Sequence, residues 1–216
     1  DDPGLAALLD DLQQQTLPMT DYEVLVETRG HSEQAKAYAI NRAQGDVLGF
    51  FCTDNRLRDR RFLERMLWWT PYQDIVGAYT AYYDYVPTDT PLNRYFALLG
   101  GNDPVCWWLG KNDRAPWGVP VASTVRTLTR ADRTMPSIGD NGFFIRRAVL
   151  GRVDPDRHFC IDAVDDVRTR SASGVTFSVV HGTSVWHRSG DSLWDYLRRR
   201  WRYTRELYWR DYGKRR

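Results

Sequence analysis

The stretch VLGFFCTDN, residues 47–55, decides the fold. Its first five residues form a run that is too short and too apolar for a surface helix, so they predict a buried strand. Asp54 and Asn55 follow shortly after that strand. In a parallel sheet they would lie at the carboxyl end of the strand, which is where such sheets bind ligands. Asp and Asn also commonly turn the chain, so the pair is equally compatible with a plain connection to the next element.

The segments on both sides of this strand alternate between helical and strand patterns. Asp2 followed by Pro3 predicts a helix N-terminus, and leucines at helical spacing continue that helix. The branched residues of Tyr22–Val26 are typical of a buried strand. In chain order the prediction is helix 3–15, strand 22–26, helix 32–43, strand 47–51, helix 60–69, strand 75–79, strand 142–145 and strand 175–180. This alternation predicts an α/β fold with a mostly parallel central sheet flanked by helices.

The composition of the chain is that of a globular protein. Its 216 residues are 42% hydrophobic and 13% aromatic, which suits one domain with a buried core and excludes collagen, coiled-coil and disordered proteins. The apolar runs reach about six residues, against roughly 20 for a membrane-spanning helix. Cys52, Cys106 and Cys160 lie too far apart for a CxxC zinc site or a disulfide framework. Because no signal-peptide pattern is present, we expect a cytoplasmic protein.

Residues 193–216 differ in composition from residues 1–192 and are predicted to form a separate amphipathic helix. They contain nine Lys or Arg residues and three acids. Trp194, Trp201 and Tyr208 recur every seven residues and therefore share one helical face. A basic helix with an aromatic face suits an anionic membrane surface, here the inner face of the membrane. The alternatives are packing of the aromatic face on the body and, less expected, binding of single-stranded nucleic acid.

An irregular, aromatic segment separates the two halves of the chain. Residues 100–117 (GGNDPVCWWLGKNDRAPW) hold Trp107, Trp108 and Trp117 among several charged residues. Long irregular segments inside compact domains are usually binding loops, and indole rings stack well on a sugar or a base. The same rings can instead fill a small subdomain core.

Carboxylates and histidines cluster in the last third of the chain. Within one helix, Asp162 and Asp166 share a face and Asp165 lies one residue off it. Crowded carboxylates raise one another's pKa, so that one can act as a base, but acids also favour a first helical turn without any catalytic role. His181 and His187 follow the last predicted strand. Each is a candidate metal ligand or phosphate partner, or a structural residue.

Taken in order, these motifs resemble a family 2 glycosyltransferase of the inverting, GT-A type. The resemblance extends over nearly the whole chain. It rests on LAALLDDLQQQTLPMTDYEVLVETRG (5–30), NRAQGD (41–46) followed by FFCTDN (50–55), GFFIRR (142–147) and HRSGDS (187–192). It implies a GT-A-like catalytic domain over 1–192. Such an enzyme transfers a sugar from a nucleotide-diphosphate donor to an acceptor hydroxyl, here of a glycan or lipid-linked acceptor of the cell envelope.

The resemblance also implies roles for individual residues. Asp54 corresponds to the last acid of the family's DXD motif and, with His187, would hold Mg²⁺ or Mn²⁺ against the donor diphosphate. The acceptor-activating base would be one of Asp162, Asp165 and Asp166. The other implied contacts are Glu27, Thr28, Arg29, Asp54, Asn55 and Arg188 for the nucleotide sugar, and Trp107, Trp108, Trp117, Asp140 and Asn141 for the acceptor.

The chain departs from the family pattern in ways that affect these expectations. Cys52 stands where the first DXD acid is expected, and Asn55 is not an acid, so the implied metal site has fewer acidic ligands. The family's first strand, which contacts the nucleotide, has no counterpart, because the resemblance begins at the following helix. These departures also fit a non-catalytic sugar-nucleotide or carbohydrate-binding protein of the same fold. A nucleotidyltransferase is a further alternative, although the phosphate-loop pattern GxxxxGK[ST] is absent.

Overall fold

The computed structural model describes residues 2–101, 114–121, 124–128, 141–156, 167, 174–203 and 205. The helices are α1 (Pro3–Gln13), α2 (Ser32–Arg42), α3 (Phe62–Leu67), α4 (Pro91–Leu99), α5 (Arg147–Leu150) and α6 (Leu193–Tyr203), with a short 3-10 helix at Met19–Asp21. The strands are β1 (Val47–Phe50), β2 (Asn55–Arg56), β3 (Ile75–Thr80), β4 (Tyr83–Asp84), β5 (Val125–Leu128), β6 (Phe143–Arg146), β7 (Val175–Val180) and β8 (Val185–His187). Within those ranges, no helix combines the length and hydrophobicity needed to cross a bilayer.

The first two helices begin at residues that satisfy their free amide groups. The Asp2 carboxylate accepts a hydrogen bond from the amide of Gly4 at 2.8 Å, and Pro3 occupies the first position of α1, where no donor is needed. The predicted start of α1 is therefore confirmed. In α2 the capping residue is His31, and the Gln34 side chain accepts from the His31 amide at 3.4 Å.

The central sheet is mixed, so the prediction of a mostly parallel sheet is wrong. Its five strands lie in the order β1-β6-β3-β7-β5. The pair β3–β7 is parallel, while β1–β6, β3–β6 and β5–β7 are antiparallel. The difference arises because β6, which follows β3 by more than 60 residues, inserts antiparallel between β1 and β3.

The strand directions nevertheless bring three carboxyl ends to the same edge of the sheet. Because β6 is antiparallel to both β1 and β3, those two strands point the same way. The strand β7 is parallel to β3 and so shares this direction. The residues after β1, β3 and β7 therefore meet at one edge, together with the residues that precede β6.

A second, three-stranded sheet forms at that edge, in the order β2-β8-β4. The strand β2 is antiparallel to β8, with Asn55 opposite His187. The strand β4 is parallel to β8, with Tyr83 opposite Val185. This small sheet joins the segments that follow β1, β3 and β7, which lie far apart in the sequence.

Helices cover both faces of the central sheet. Leu48 and Phe50 of β1 belong to a buried cluster that includes Ile40 of α2. Phe144 of β6 belongs to a second cluster, which includes Leu12 of α1 and the residues of α3. Successive strand residues point to opposite faces, so apolar runs such as those of β1 and β6 fit a sheet that is covered on both sides.

Tyr22–Val26 does not form the predicted strand. The side chains of Val24 and Val26 are 44% and 47% exposed, and the segment lines a cavity of about 1040 Å³ together with residues 47–54. Among the described strands β1 lies at the edge of the sheet, and its side away from β6 faces the same cavity. A strand needs a neighbour for its backbone hydrogen bonds, and here the cavity separates the two segments.

Gly77 in the middle of β3 offers a test of this packing. A Cβ atom at this position would meet the carbonyl oxygen of Phe144 and lie 3.2 Å from Cα of Ile145, both in the paired strand β6. We expect Gly77→Ala to lower the free energy of unfolding in urea by about 2–4 kcal/mol, because the crowding atoms are backbone atoms that cannot rotate away.

Gly45→Ala is the matched control for Gly77→Ala. A Cβ atom at Gly45 would find Val47 O at 3.5 Å, an ordinary van der Waals distance. The control should change the free energy of unfolding by no more than about 0.5 kcal/mol. Equal stability of the two variants would contradict the observed approach of β3 and β6.

Candidate functional site

The candidate site is the cavity of about 1040 Å³ that runs along β1 and past its carboxyl end, since residues 45–54 line it. Ligand sites commonly have volumes of about 300–1,000 Å³ with an apolar lining and a few polar groups. Leucines of α1 and apolar residues of β1 supply the apolar part of the lining. The charged and polar part includes Glu27, Asp54, Asn141, His187 and Arg199.

Asp54 and His187 are the central pair of this site. Oδ2 of Asp54 lies 3.4 Å from Nε2 of His187, although the two residues are far apart in the sequence. The small sheet creates the contact, since Asn55 pairs with His187 and the amide of Arg188 donates to the carbonyl of Asp54 at 3.1 Å. The exposed fractions of the two side chains are 34% for Asp54 and 12% for His187. The pair is therefore held by backbone pairing and remains open to the cavity.

The pKa of the Asp54 carboxyl reflects opposing effects. Burial on its own raises the pKa of Asp54, because a charged group loses water. The positive charge and hydrogen bond of His187, with a further contribution from Arg199, outweigh burial and bring the pKa of Asp54 below its ordinary value of 3.8. The pKa of Asp54 is therefore set by the balance between its burial and its contact with His187.

Asn55 holds the turn that carries Asp54. Its side chain is fully buried, its Oδ1 accepts from the amide of Cys52 at 3.0 Å, and its Nδ2 donates to Oδ1 of Asn141 at 2.9 Å. Asn55 therefore acts as a turn residue, which is one of the two roles that the sequence allows for it, and its side chain is used in hydrogen bonds within the protein. Cys52, at the position of the missing acid, contributes its backbone to the same turn.

Asn141 links this turn to the start of β6. Its backbone adopts a left-handed conformation with φ 55°, and the following amide of Gly142 donates to the carbonyl of Phe50 at 2.7 Å. The Asn141 carbonyl accepts from the buried Arg114 side chain at 2.9 Å. Its Nδ2 donates to the hydroxyl of Tyr83 at 3.2 Å. A left-handed conformation costs free energy for a residue other than glycine, and it persists where the surrounding structure holds it. These hydrogen bonds hold Asn141 in that conformation.

Glu27 lines the same cavity from the segment that follows Tyr22–Val26. Its carboxylate accepts from the Arg29 side chain at 2.9 and 2.5 Å and from the amide of Thr28 at 3.0 Å. These hydrogen bonds, the Arg29 side chain first, lower the pKa of Glu27 to about 2. Arg29 itself lines a separate cavity of about 610 Å³ with Arg42 and Arg152. Of Glu27, Thr28 and Arg29, which the resemblance implies as contacts of the nucleotide sugar, Glu27 lines the main cavity.

Two arginines, Arg188 and Arg199, line the cavity and also bind protein groups. Arg188, an expected diphosphate contact, lines the cavity but binds Asp191 with its guanidinium, at 2.8 and 2.5 Å. Arg199 was grouped by composition with the basic tail, yet it lines the cavity and donates to the carbonyl of Ser189. The spacing of three residues from the buried Tyr196 could have indicated that Arg199 faces the body.

The predicted acceptor residues are separated in the structure. Asn141 lines the cavity, whereas Trp117 stacks on Tyr82 with a ring separation of 5.0 Å and donates from its indole to the carbonyl of Tyr83 at 2.8 Å. Trp117 is 43% exposed and does not line the cavity, so its ring packs on Tyr82 at the surface. The other predictions lie outside the described residues: Trp107, Trp108, Asp140, Asp162, Asp165 and Asp166.

Asp54 offers the carboxylate oxygen that hard divalent cations prefer, and His187 offers an imidazole nitrogen, a ligand more typical of transition metals. Two neighbouring ligands of an octahedral ion with bonds of about 2.1 Å lie about 3 Å apart, and the Asp54–His187 contact at 3.4 Å is close to that spacing. Mg²⁺ commonly takes one or two protein ligands and completes its shell with water and substrate phosphates. Among the residues described, no group of three or more His, Cys, Asp or Glu side chains is arranged around a common metal position.

Comparison of the chain with models of known protein families, with curated proteins and with solved structures finds no match.

The opposing effects on Asp54 give a testable pH dependence. In the wild type, folding lowers the pKa of Asp54. The Asp54 carboxylate therefore stabilises the folded protein above pH 3.8, and this stabilisation is lost as the pH falls. We expect His187→Leu to raise the pKa of Asp54 above its ordinary value, because burial remains and the main cation is gone. Carbon-detected NMR titration of the aspartate carboxyls measures this shift.

His181→Leu serves as the control, because His181 is exposed beyond the end of β7. It should leave the Asp54 titration unchanged. In His187→Leu the pH dependence should reverse: Asp54 should stabilise the folded protein at low pH, and this stabilisation should be lost as the pH rises. An Asp54 midpoint equal to that of the wild type would contradict the role of His187.

Proposed function

We propose that the chain is a glycosyltransferase that moves a sugar from a nucleotide-diphosphate donor to an acceptor hydroxyl, with inversion at the anomeric carbon. The observation that supports this best is the contact between Asp54 and His187 in a cavity large enough for a nucleotide sugar. The sequence resemblance names the same two residues as the diphosphate and metal pair. The proposal is based on this agreement: the resemblance pairs Asp54 with His187, and the two side chains lie 3.4 Å apart although they are far apart in the sequence.

In this function Asp54 and His187 would hold Mg²⁺ or Mn²⁺ together with the donor diphosphate. A bound divalent ion neutralises negative charge that develops on the departing diphosphate. Arg199 adds positive charge to the same part of the cavity, as its effect on Asp54 indicates. Glu27 contacts the nucleoside part of the donor, and Asn141 lies beside the sugar or the acceptor.

The transfer itself is a direct displacement. The acceptor oxygen forms a bond to the anomeric carbon as the bond to the diphosphate oxygen breaks, and a carboxylate takes the proton of the acceptor hydroxyl. Asp162 is the first candidate for this base, with Asp165 and Asp166 as alternatives. This assignment rests on the sequence resemblance, and replacement of each by Asn tests it through the loss of turnover with donor binding retained.

Calorimetric titration tests the donor site directly. We expect wild-type protein to bind UDP, GDP or one of their sugar conjugates, more tightly with Mn²⁺ or Mg²⁺ than without. Asp54→Ala should weaken that binding on the order of 10- to 100-fold and remove the metal dependence, because it deletes a charged ligand of the diphosphate–metal unit.

Asp74→Ala is the control for the titration, since Asp74 is an exposed acid directly before β3 and does not line the cavity. It should bind the nucleotide as the wild type does. No nucleotide binding by the wild type, or equal metal-dependent binding by Asp54→Ala, would refute the proposed site.

A non-catalytic sugar-nucleotide-binding protein is the second candidate. One observation favours it, namely that Cys52 and Asn55 stand where the resemblance leads one to expect further acidic ligands, so that Asp54 is the single carboxylate of FFCTDN. For this alternative, nucleotide-sugar binding is expected without release of free nucleotide diphosphate in the presence of acceptors. Unchanged behaviour of Asp162→Asn, Asp165→Asn and Asp166→Asn would then be expected as well.

A further inference from the structure

The helix α6 turns different side chains toward the body and toward solvent. Tyr196 is buried, and its ring centroid lies 4.7 Å from that of Phe96 in α4. Arg199, three residues further along, lines the cavity and binds the carbonyl of Ser189. The body-facing side of α6 is thus defined by residues other than its tryptophans.

The opposite side of α6 carries an exposed apolar stripe. Its members have exposed fractions of 61% for Leu193, 67% for Trp194, 48% for Leu197 and 68% for Trp201. Their spacing places them on one side of the helix. Sequence alone left open whether the aromatic face packs on the body; in the part of the chain that is described, this stripe faces solvent instead.

An arginine row runs beside this apolar stripe. Arg198, Arg202 and Arg205 are exposed and recur at spacings of four and three residues. The Arg198 guanidinium lies 6.0 Å from the ring centroid of Trp194, so the positive charge and the indole occupy adjoining positions. A partner that approaches α6 from the solvent side would therefore contact both the apolar stripe and the arginine row.

We propose that α6 lies flat on the surface of an anionic phospholipid bilayer, with the apolar stripe and the arginine row facing the lipid. Indole rings favour the headgroup boundary, leucine side chains favour the acyl region just below it, and arginines pair with lipid phosphates. The leucines distinguish a bilayer from single-stranded nucleic acid, whose bases stack on aromatic rings and gain little from aliphatic side chains. The complementary charge of an anionic leaflet accounts for the arginine row.

This docking is independent of sugar transfer. It requires that the residues facing lipid differ from those lining the cavity, which holds for the stripe and the arginine row. The candidate cavity then lies on the far side of α6 from the bilayer, at roughly one helix diameter of 10 Å. A donor-binding assay and a vesicle-binding assay therefore probe separate surfaces of the full chain.

Co-sedimentation with vesicles tests the proposal. The full chain should bind vesicles of phosphatidylcholine with phosphatidylglycerol, and only weakly those of phosphatidylcholine alone. Replacing Arg198, Arg202 and Arg205 by Gln should weaken the anionic binding on the order of 100-fold, about fivefold for each charge. The double variant Trp194→Ala/Trp201→Ala should weaken binding to both kinds of vesicle by at least about tenfold.

Trp68→Ala is the matched control, since Trp68 is 42% exposed on another part of the surface and should not affect vesicle binding. Thermal unfolding followed by circular dichroism shows that each variant is folded. Brominated lipid should quench wild-type tryptophan fluorescence more strongly than that of the double variant. Wild-type protein that stays in the supernatant with anionic vesicles, or a double variant that binds as tightly as the wild type, overturns the proposal.

Binding of an oligonucleotide tests the alternative partner, single-stranded nucleic acid. Thymidine oligonucleotide should bind more weakly than anionic vesicles at the same ionic strength. Tighter binding of the oligonucleotide, with the same dependence on Trp194 and Trp201, would overturn the membrane assignment and give this surface to nucleic acid.

Discussion

The insertion of β6 between β1 and β3 is the constraint on which the rest of the structure depends. Antiparallel pairing on both sides keeps β1 and β3 in the same direction, so their carboxyl ends share an edge. The close approach leaves no room for a side chain at Gly77. At the start of β6, the left-handed Asn141 bonds to Asn55 and thereby fixes the turn that presents Asp54 to the cavity. The geometry of the candidate site thus follows from how one strand enters the sheet.

Local signals in the sequence were sufficient for most single elements and insufficient for their pairing. Asp2, Pro3 and the leucines of α1 act within a few residues of one another, so the helix could be predicted from them. The direction of a sheet is different, because it is set by a partner more than 60 residues away, and β6 has no local feature that states which strands it joins. Tyr22–Val26 illustrates the same limit: its composition suits a strand, but pairing requires a neighbour within hydrogen-bonding distance.

The candidate site was predictable to a similar extent. Asp54 could be singled out because a carboxylate directly after an apolar strand lies at a predictable place, and the contact with His187 agrees with the pairing implied by the family resemblance. Asn55 carries the same positional signal, yet its side chain is used internally, since burial is decided by what surrounds the turn. Arg199 was obscured by neighbouring arginines, because composition describes a segment as a whole and not the direction of each side chain.

The edge position of β1 has a consequence for its backbone. The carbonyls of Asp46 and Phe50 accept hydrogen bonds from residues flanking β6, so the even-numbered residues face that strand. In an antiparallel pair the alternate residues point the other way, which directs the amides of Val47, Gly49 and Phe51 into the cavity. Solvent in the cavity is then the available partner for these amides. Hydrogen exchange along β1 should therefore alternate residue by residue, with slow even positions and fast odd positions inside a strand whose side chains are packed on both faces.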